Sequence, residues 1–418
     1  MLDFAIAWDW LTFAARWLHV VTAIAWIGSS FYFIALDLGL TQKPGLPEGV
    51  YGEEWQVHGG GFYHLQKYLV APAEMPEHLT WFKWEAYTTW MSGAFLMALV
   101  YYGSADLYLI DRNVLKVPSK VRPAVDVPAW GGILISVVSL TIGWIVYDFL
   151  CKSPIGKSDT GLMLLLYALL VCMAWGYTHL FSGRATFVHL GAFTATIMSA
   201  NVFFIIIPNQ TKVVAALKAG EKPDPALGKA AKQRSLHNNY LTLPVIFLML
   251  SNHYPLAFAT PYNWVIASLV FIMGVLIRHY FNTKHARKGT PNWTWLVTGI
   301  IFILIIWLST NPIQRVDEEA ELPTRSAEKM MASAHFEEAR DVVLSRCSMC
   351  HAAEPVWEGI HWAPKNVLLD TDARIANHAR EIYMQAGLSH AMPPGNVTDI
   401  PPEERAALVR WYRARGDS

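Results

Sequence analysis

"SRCSMCHAAEP" occupies Ser345–Pro355, near the end of a chain otherwise dominated by long apolar runs. Two cysteines two residues apart, followed at once by a histidine, form the attachment pattern for a c-type haem. The spacing has a chemical reason. Two thiols on one short turn reach the two vinyl groups of the porphyrin, and the next residue brings an imidazole to the iron. Cys347, Cys350 and His351 fill these positions. Met is the usual partner of His in cytochromes c. Met392, in the proline-stiffened "SHAMPPGN" (389–396), is the expected sixth ligand, with His378 and His390 as competitors. No second cysteine pair completes a zinc site, and no βαβ pattern surrounds the motif as a thioredoxin-type reading requires.

Outward from this motif the chain divides in two. Of its 418 residues 53% are hydrophobic and only 16% charged, against about 25% charged in soluble domains. The deficit lies before Thr310; from Asn311 onward the composition is that of soluble protein. A membrane span needs about 20 apolar residues. Eight stretches qualify as candidates: 10–36, 82–104, 129–150, 161–181, 185–207, 238–258, 262–281 and 293–310. The expected fold is therefore all-α. A polytopic membrane helix bundle of about eight spans fills 1–310, followed by an acidic, proline-containing linker at 311–332. A class I-like cytochrome c domain covers 333–418, with helices ending near Ser345, around 372–386 and over 402–415. The first apolar run lacks a basic flank and a small-residue cleavage site, so it reads as a retained span. The zero formal net charge argues against nucleic acid as a partner. Four cysteines make no disulfide scaffold; Cys151 and Cys172, in or beside apolar runs, read as small buried thiols.

Orientation follows from basic loop residues. Loops 37–81, 151–160, 208–237 and 282–292 carry thirteen Lys and Arg, the alternate ones five. The basic side is expected to be cytoplasmic, and both ends of the bundle periplasmic. That is where haem is attached covalently, so the two readings agree.

Ionisable groups inside spans are expensive and point to function. Toward the outer half lie His19, His179, His189 and His253, with Arg184 in the turn between the second and third of these. Imidazoles on different helices suit a non-covalent b-type haem, with Arg184 on its propionates; hydrogen bonds between helices are the simpler alternative. Toward the inner half lie "VHGGGFYHLQKY" (57–68), "HLTWFKWEAYTTW" (78–90) and "RSLHNNYLTLP" (234–244). Amides, aromatics and a cation together suit a flat, hydrogen-bonding anionic heterocycle. Asn201, Asn238, Asn239 and Tyr63 are the candidate binders, and Lys83 a candidate for holding the anion. Taken singly, each also reads as a cap or an interfacial anchor.

The stretches "HVVTAIAWIGSSFYF" (19–33), "HGGGFY" (58–63), "WFKWEAYTTWMSG" (81–93) and "HNNYLTLPVIFLMLSNHYP" (237–255), with "RCSMCHAAEP" and "MPPGN", resemble the bacterial membrane-bound urate oxidases, also called cytochrome c urate hydroxylases. The resemblance covers nearly the whole chain in order. It implies oxidation of urate by two electrons to a dehydrourate, which water converts to 5-hydroxyisourate. Electrons would leave through haem c to a downstream cytochrome or terminal oxidase and not to oxygen as peroxide; with a substrate site in the inner half, the haem b read from the outer histidines would be a useful intermediate. It also implies the bacterial inner membrane, with the lipid bilayer as a partner. Proton removal needs a base, for which Glu85 is the first candidate and His58 and His237 the alternatives. Two other classes compete: an electron-transfer haem subunit of a quinone-linked complex, and a porphyrinogen oxidase-like membrane haem protein.

Overall fold

A computed structural model describes residues 4–70, 76–110, 127–310, 323–358, 360 and 363–414. Residues 311–322 of the expected linker lie outside the described residues. The apolar runs form helices, numbered here as they are used: α1 Phe4–Gly39, α2 Trp84–Met97, α3 Ala129–Lys152, α4 Asp159–Thr178, α5 Gly183–Ala200, α6 Pro225–Leu250, α7 Asn263–His285 and α8 Trp293–Thr310. Starts are set by polar caps that satisfy free backbone N–H groups. Ser158 accepts from Gly161 at 3.2 Å before α4, Ser182 from Ala185 at 3.2 Å before α5, and Asp224 from Ala226 at 2.9 Å before α6.

Among the described residues six helices are long and apolar enough to cross a membrane: Ile6–Gly39, α3, α4, the continuous Gly183–Lys218, α7 and α8. The expectation of eight is corrected on this criterion. The expected spans 82–104 and 238–258 are helical, but α2 has only 14 residues before a π-helical turn, Ala98–Tyr102. Helix α6 starts well before 238 and carries Lys229, Lys232 and Arg234 in its first half. Both pack among the six, α2 on α1 and α6 between α5 and α7. Large apolar side chains remain outside, among them Trp17, Ile24, Phe149, Leu164 and Ile303. A belt of this kind suits lipid, and the chain is a membrane-associated helical protein. Cys172 lies exposed on this outer surface and Cys151 is half-buried, so Cys172 is not the buried thiol expected.

The all-α expectation also needs correcting at 37–81. Val50–His58 (β1) and Gly61–Tyr68 (β2) pair antiparallel, His58 facing Gly61 across a two-residue turn. Gly59 and Gly60 have φ of 57° and 80°, which a type I′ turn requires at both central positions. The "HGGG" stretch is thus turn chemistry. The hairpin caps one end of the bundle: Lys67 pairs with Asp37 at 2.6 Å, and the Tyr32 hydroxyl donates to Gln56 at 2.7 Å.

Close approaches between helices occur at glycines. A Cβ on Gly143 of α3 would lie 1.9 Å from the Phe193 ring of α5, and one on Gly274 of α7 would lie 2.5 Å from Pro244 of α6. Only glycine permits these contacts. The second fixes how α6 and α7 face one another toward the hairpin end.

The C-terminal residues have their own core of Phe336, Val343, Leu369, Ile375, Tyr383, Leu408 and Trp411 among others. Helices α9 Arg325–Met331, α10 Phe336–Arg346, α11 Asp372–Asn377 and α12 Pro402–Arg413 enclose it. The first of these falls inside the expected linker. Thr324 caps it at 3.0 Å, Ala327 and Met330 bury their side chains in this core, and the Trp411 indole donates to the Met330 carbonyl at 3.0 Å. The unit touches the bundle end opposite the hairpin, where Arg380 pairs with Asp9 at 2.8 Å and Tyr108 bonds Glu381.

Candidate functional site

At the hairpin end, α3, α5 and α6 build one buried polar network. Asn201 sits where α5 gives way to a π-helical turn, Asn201–Ile206, the kind of irregularity that redirects side chains. Its amide donates to Asn238 at 3.0 Å and to the Tyr147 hydroxyl at 3.2 Å. Asn238 donates in turn to the Met198 carbonyl at 2.9 Å, and Tyr147 lies 2.7 Å from His237 Nδ1. Arg234 closes the network: it donates to Asn201 at 3.2 Å and to Asp148 at 2.7 Å, and its guanidinium lies 4.9 Å from the Tyr147 ring centroid. Lys152 holds the other oxygen of Asp148 at 2.6 Å. His237 also lines an apolar crevice of about 50 Å³ between α4, α6 and α7, which is room for water and not for a purine.

One step round α6, Asn239 faces α7. Its oxygen accepts from Arg278 Nε at 3.2 Å and from Asn282 at 3.0 Å, while Arg278 donates to Asn282 Oδ1 at 3.0 Å. The Phe31 ring of α1 covers the guanidinium at 4.1 Å. The Pro244–Gly274 contact explains the meeting, since Asn239 and Arg278 lie about one turn beyond it on the two antiparallel helices. The nitrogen of the Asn239 amide is buried with no partner among the described residues.

The structure therefore brings together Asn201, His237 and Asn238, with Asn239 adjoining. Glu85, in the first turn of α2, belongs to the same end: Ser199 of α5 donates to the neighbouring Ala86 carbonyl at 3.4 Å. One Glu85 carboxylate oxygen is buried and unpartnered among the described residues. Lys83 is the residue before α2. His58 and Tyr63 are not brought in; both are exposed on the hairpin. Arg234, Arg278, Asp148 and Asn282 are the members that sequence reasoning passed over. Arg278 had a signal, as an ionisable residue inside "VFIMGVLIRHYFN", and Arg234 was counted only as a loop charge.

The four outer histidines do not converge. His19 Nδ1 meets the Thr89 carbonyl at 3.0 Å, its ring filling the space left by Gly93. His189 is fully buried, donates Nδ1 to the Ala185 carbonyl at 2.8 Å, and is packed by Phe181, Tyr101 and Tyr177 at 4.7, 5.7 and 6.1 Å between centroids. Between Gly93 and Tyr101 lies about 12 Å of helix axis, so His19 and His189 stand at different depths. His179 bonds the Trp175 carbonyl at 2.7 Å, and His253 is exposed near Arg16, Arg184 and Lys365. A porphyrin on His189 would have to displace the rings around it. His189 keeps a buried Nε2 with no partner among the described residues, but no contact pairs it with a second of these histidines.

The C-terminal motif fits a haem. Cys347 and Cys350 are free and half-buried, and burial pushes the Cys347 thiol up to about 12. His351 donates Nδ1 to the Val367 carbonyl at 2.8 Å, which fixes the ring and leaves Nε2 as the coordinating nitrogen. Burial also lowers its pKa, favouring the neutral imidazole that binds metal. Met392 packs on the same core as Cys347. Arg405 pins its loop, donating to the Met392 carbonyl at 3.0 Å and to Asn396 at 2.7 Å. Of the competitors, His390 is exposed, and His378 lies half-buried 3.9 Å from Glu381. Among the described residues no group of three or more His, Cys, Asp and Glu is arranged to hold a metal ion.

Fold and site together define a membrane-associated helical protein with a buried, amide-rich polar centre. The chain belongs to the urate oxidase N-terminal family, whose sequence model matches residues 5–309. That match takes in the whole bundle, stops before the C-terminal unit, and makes the chain a urate oxidase-related oxidoreductase. Comparison with curated proteins and with solved structures returned no match.

Proposed function

We propose that the protein is a membrane-bound urate oxidase that delivers electrons to a haem c carried by its own C-terminal cytochrome c domain. The observation that carries this reading is the joining, in one chain, of a urate oxidase-family bundle with a Cys-x-x-Cys-His motif whose histidine is already oriented by the Val367 carbonyl. Cys347 and Cys350 would attach the group, and His351 and Met392 would hold its iron. When bound it supplies a one-electron acceptor.

Urate loses two electrons and two protons to give a dehydrourate, and water adds to give 5-hydroxyisourate. The chain's own residues must bind the flat anion, keep bulk water away and remove protons. The Asn239 amide suits the first task, with Asn201 and Asn238 holding the adjoining network and Lys83 near the mouth. Glu85 suits the last, because its buried, unpartnered oxygen is free to accept a proton; His237 is the alternative. With the basic loops cytoplasmic, the site opens inward and the haem domain lies in the periplasm of a bacterial inner membrane. A downstream cytochrome or terminal oxidase would re-oxidise it.

Urate added to anaerobic membranes holding the protein should reduce the haem promptly, as seen in its visible band. Reduction by a quinol or a porphyrinogen, and none by urate, would overturn the reading in favour of an electron-transfer subunit or a porphyrinogen oxidase. Glu85→Gln should keep full haem content while slowing urate-dependent reduction by about 100-fold or more. An unchanged rate removes Glu85 from the chemistry.

A further inference from the structure

Among the described residues Arg278 is a cation without a counter-charge. It is 5% exposed, inside an apolar helix, and no carboxylate among the described residues pairs with it. Its partners are two neutral amide oxygens, on Asn239 and Asn282, and the face of Phe31. An ionised group in such a setting is normally paired. Beside it the Asn239 Nδ2, on a residue with no exposure at all, aims at nothing among the described residues. A guanidinium, an unused amide donor and an aromatic ring are the complement of a planar organic anion. The contrast with Arg234 is instructive, because that arginine is neutralised by Asp148 and its amides are saturated.

A polar track leads from this cluster to the hairpin. Arg278, Asn282 and His285 fall on one face of α7 at successive turns. His285 lies within electrostatic reach of Glu54 on β1, and each has a buried polar atom unpartnered among the described residues. Gly39 makes the room, since a Cβ there would lie 2.7 Å from a Glu54 oxygen.

We infer that Arg278, Asn239 and Asn282, under the Phe31 ring, form the seat of a planar organic anion. Its identity as the urate monoanion rests on the reading above. Arg278 makes the charge-assisted contact, Asn239 Nδ2 donates to a ring carbonyl, and the Phe31 ring bounds the seat.

Equilibrium dialysis of labelled urate against the detergent-solubilised full chain tests this, with the haem kept reduced so that no turnover occurs. Arg278→Gln should weaken binding at least about tenfold. Because losing a buried arginine can unfold the protein, Asn239→Asp is the decisive variant. The new carboxylate supplies the missing counter-charge, so thermal unfolding should be unchanged or raised while urate binding is lost. Unaltered binding in Asn239→Asp, or loss confined to Arg184→Gln at the opposite end, overturns the seat and leaves urate oxidation standing. A wild-type chain that neither binds nor oxidises urate overturns both.

Discussion

Asp148 and Arg234 show how a buried charge pair can organise neutral neighbours. Arg234 spends one nitrogen on the carboxylate and another on Asn201, and the amide of Asn201 then orients Asn238 and Tyr147. Removing one partner strands the other in a low-dielectric interior, at a cost of about 3–5 kcal/mol, whereas replacing both with apolar groups is often neutral. Asp148→Leu, which strands Arg234, should therefore lower the thermal midpoint in detergent strongly, and adding Arg234→Met should recover most of it. A double variant no better than the single would deny the pair this role. At this scale the sequence was partly readable. Amides and histidine in an apolar stretch stand out, so Asn201, His237, Asn238 and Asn239 could be picked. Asp148 could not, because a carboxylate at the end of a span looks like any interfacial residue until its arginine is found 86 positions away.

At the level of elements, the helices were legible because long apolar runs leave few alternatives. The hairpin was hidden in plain sight. Two glycines between short runs signal a turn, but histidines and aromatics around them drew the reading toward ligand chemistry. Its strands also carry the clearest pH-dependent feature. Glu53 is held below the usual carboxyl range, first by Lys43 and then by His64, which lies 2.7 Å away. Since the folded pKa is the lower one, this contribution is complete above the unfolded value of about 4.3 and disappears as pH falls through the folded value. Strand amides of 50–68 should accordingly exchange faster below about pH 4, and Glu53→Gln should abolish that acid step. The π-helical turn at Asn201 had no signal, because its sequence "NVFFII" is ordinary helix-compatible apolar sequence.

For the whole molecule, two units were legible from composition alone, and the Cys-x-x-Cys-His motif gave the second a chemistry. The number of spans was not, since α6 mixes lysines with apolar residues and α2 is too short to qualify. Nor was the place where the units touch, which depends on single surface residues with no pattern around them. There the Arg380–Asp9 pair is 32% and 45% exposed. A pair that open is worth no more than about 1 kcal/mol, and added salt screens it over a Debye length of about 8 Å at physiological strength. Ionic strength thus becomes a dial on this one contact, beside the Tyr108–Glu381 bond at the same seam. If the proposed function holds, raising ionic strength should slow reduction of a haem on the C-terminal unit by urate while leaving reduction by dithionite unchanged, and Arg380→Glu should imitate high salt at low salt.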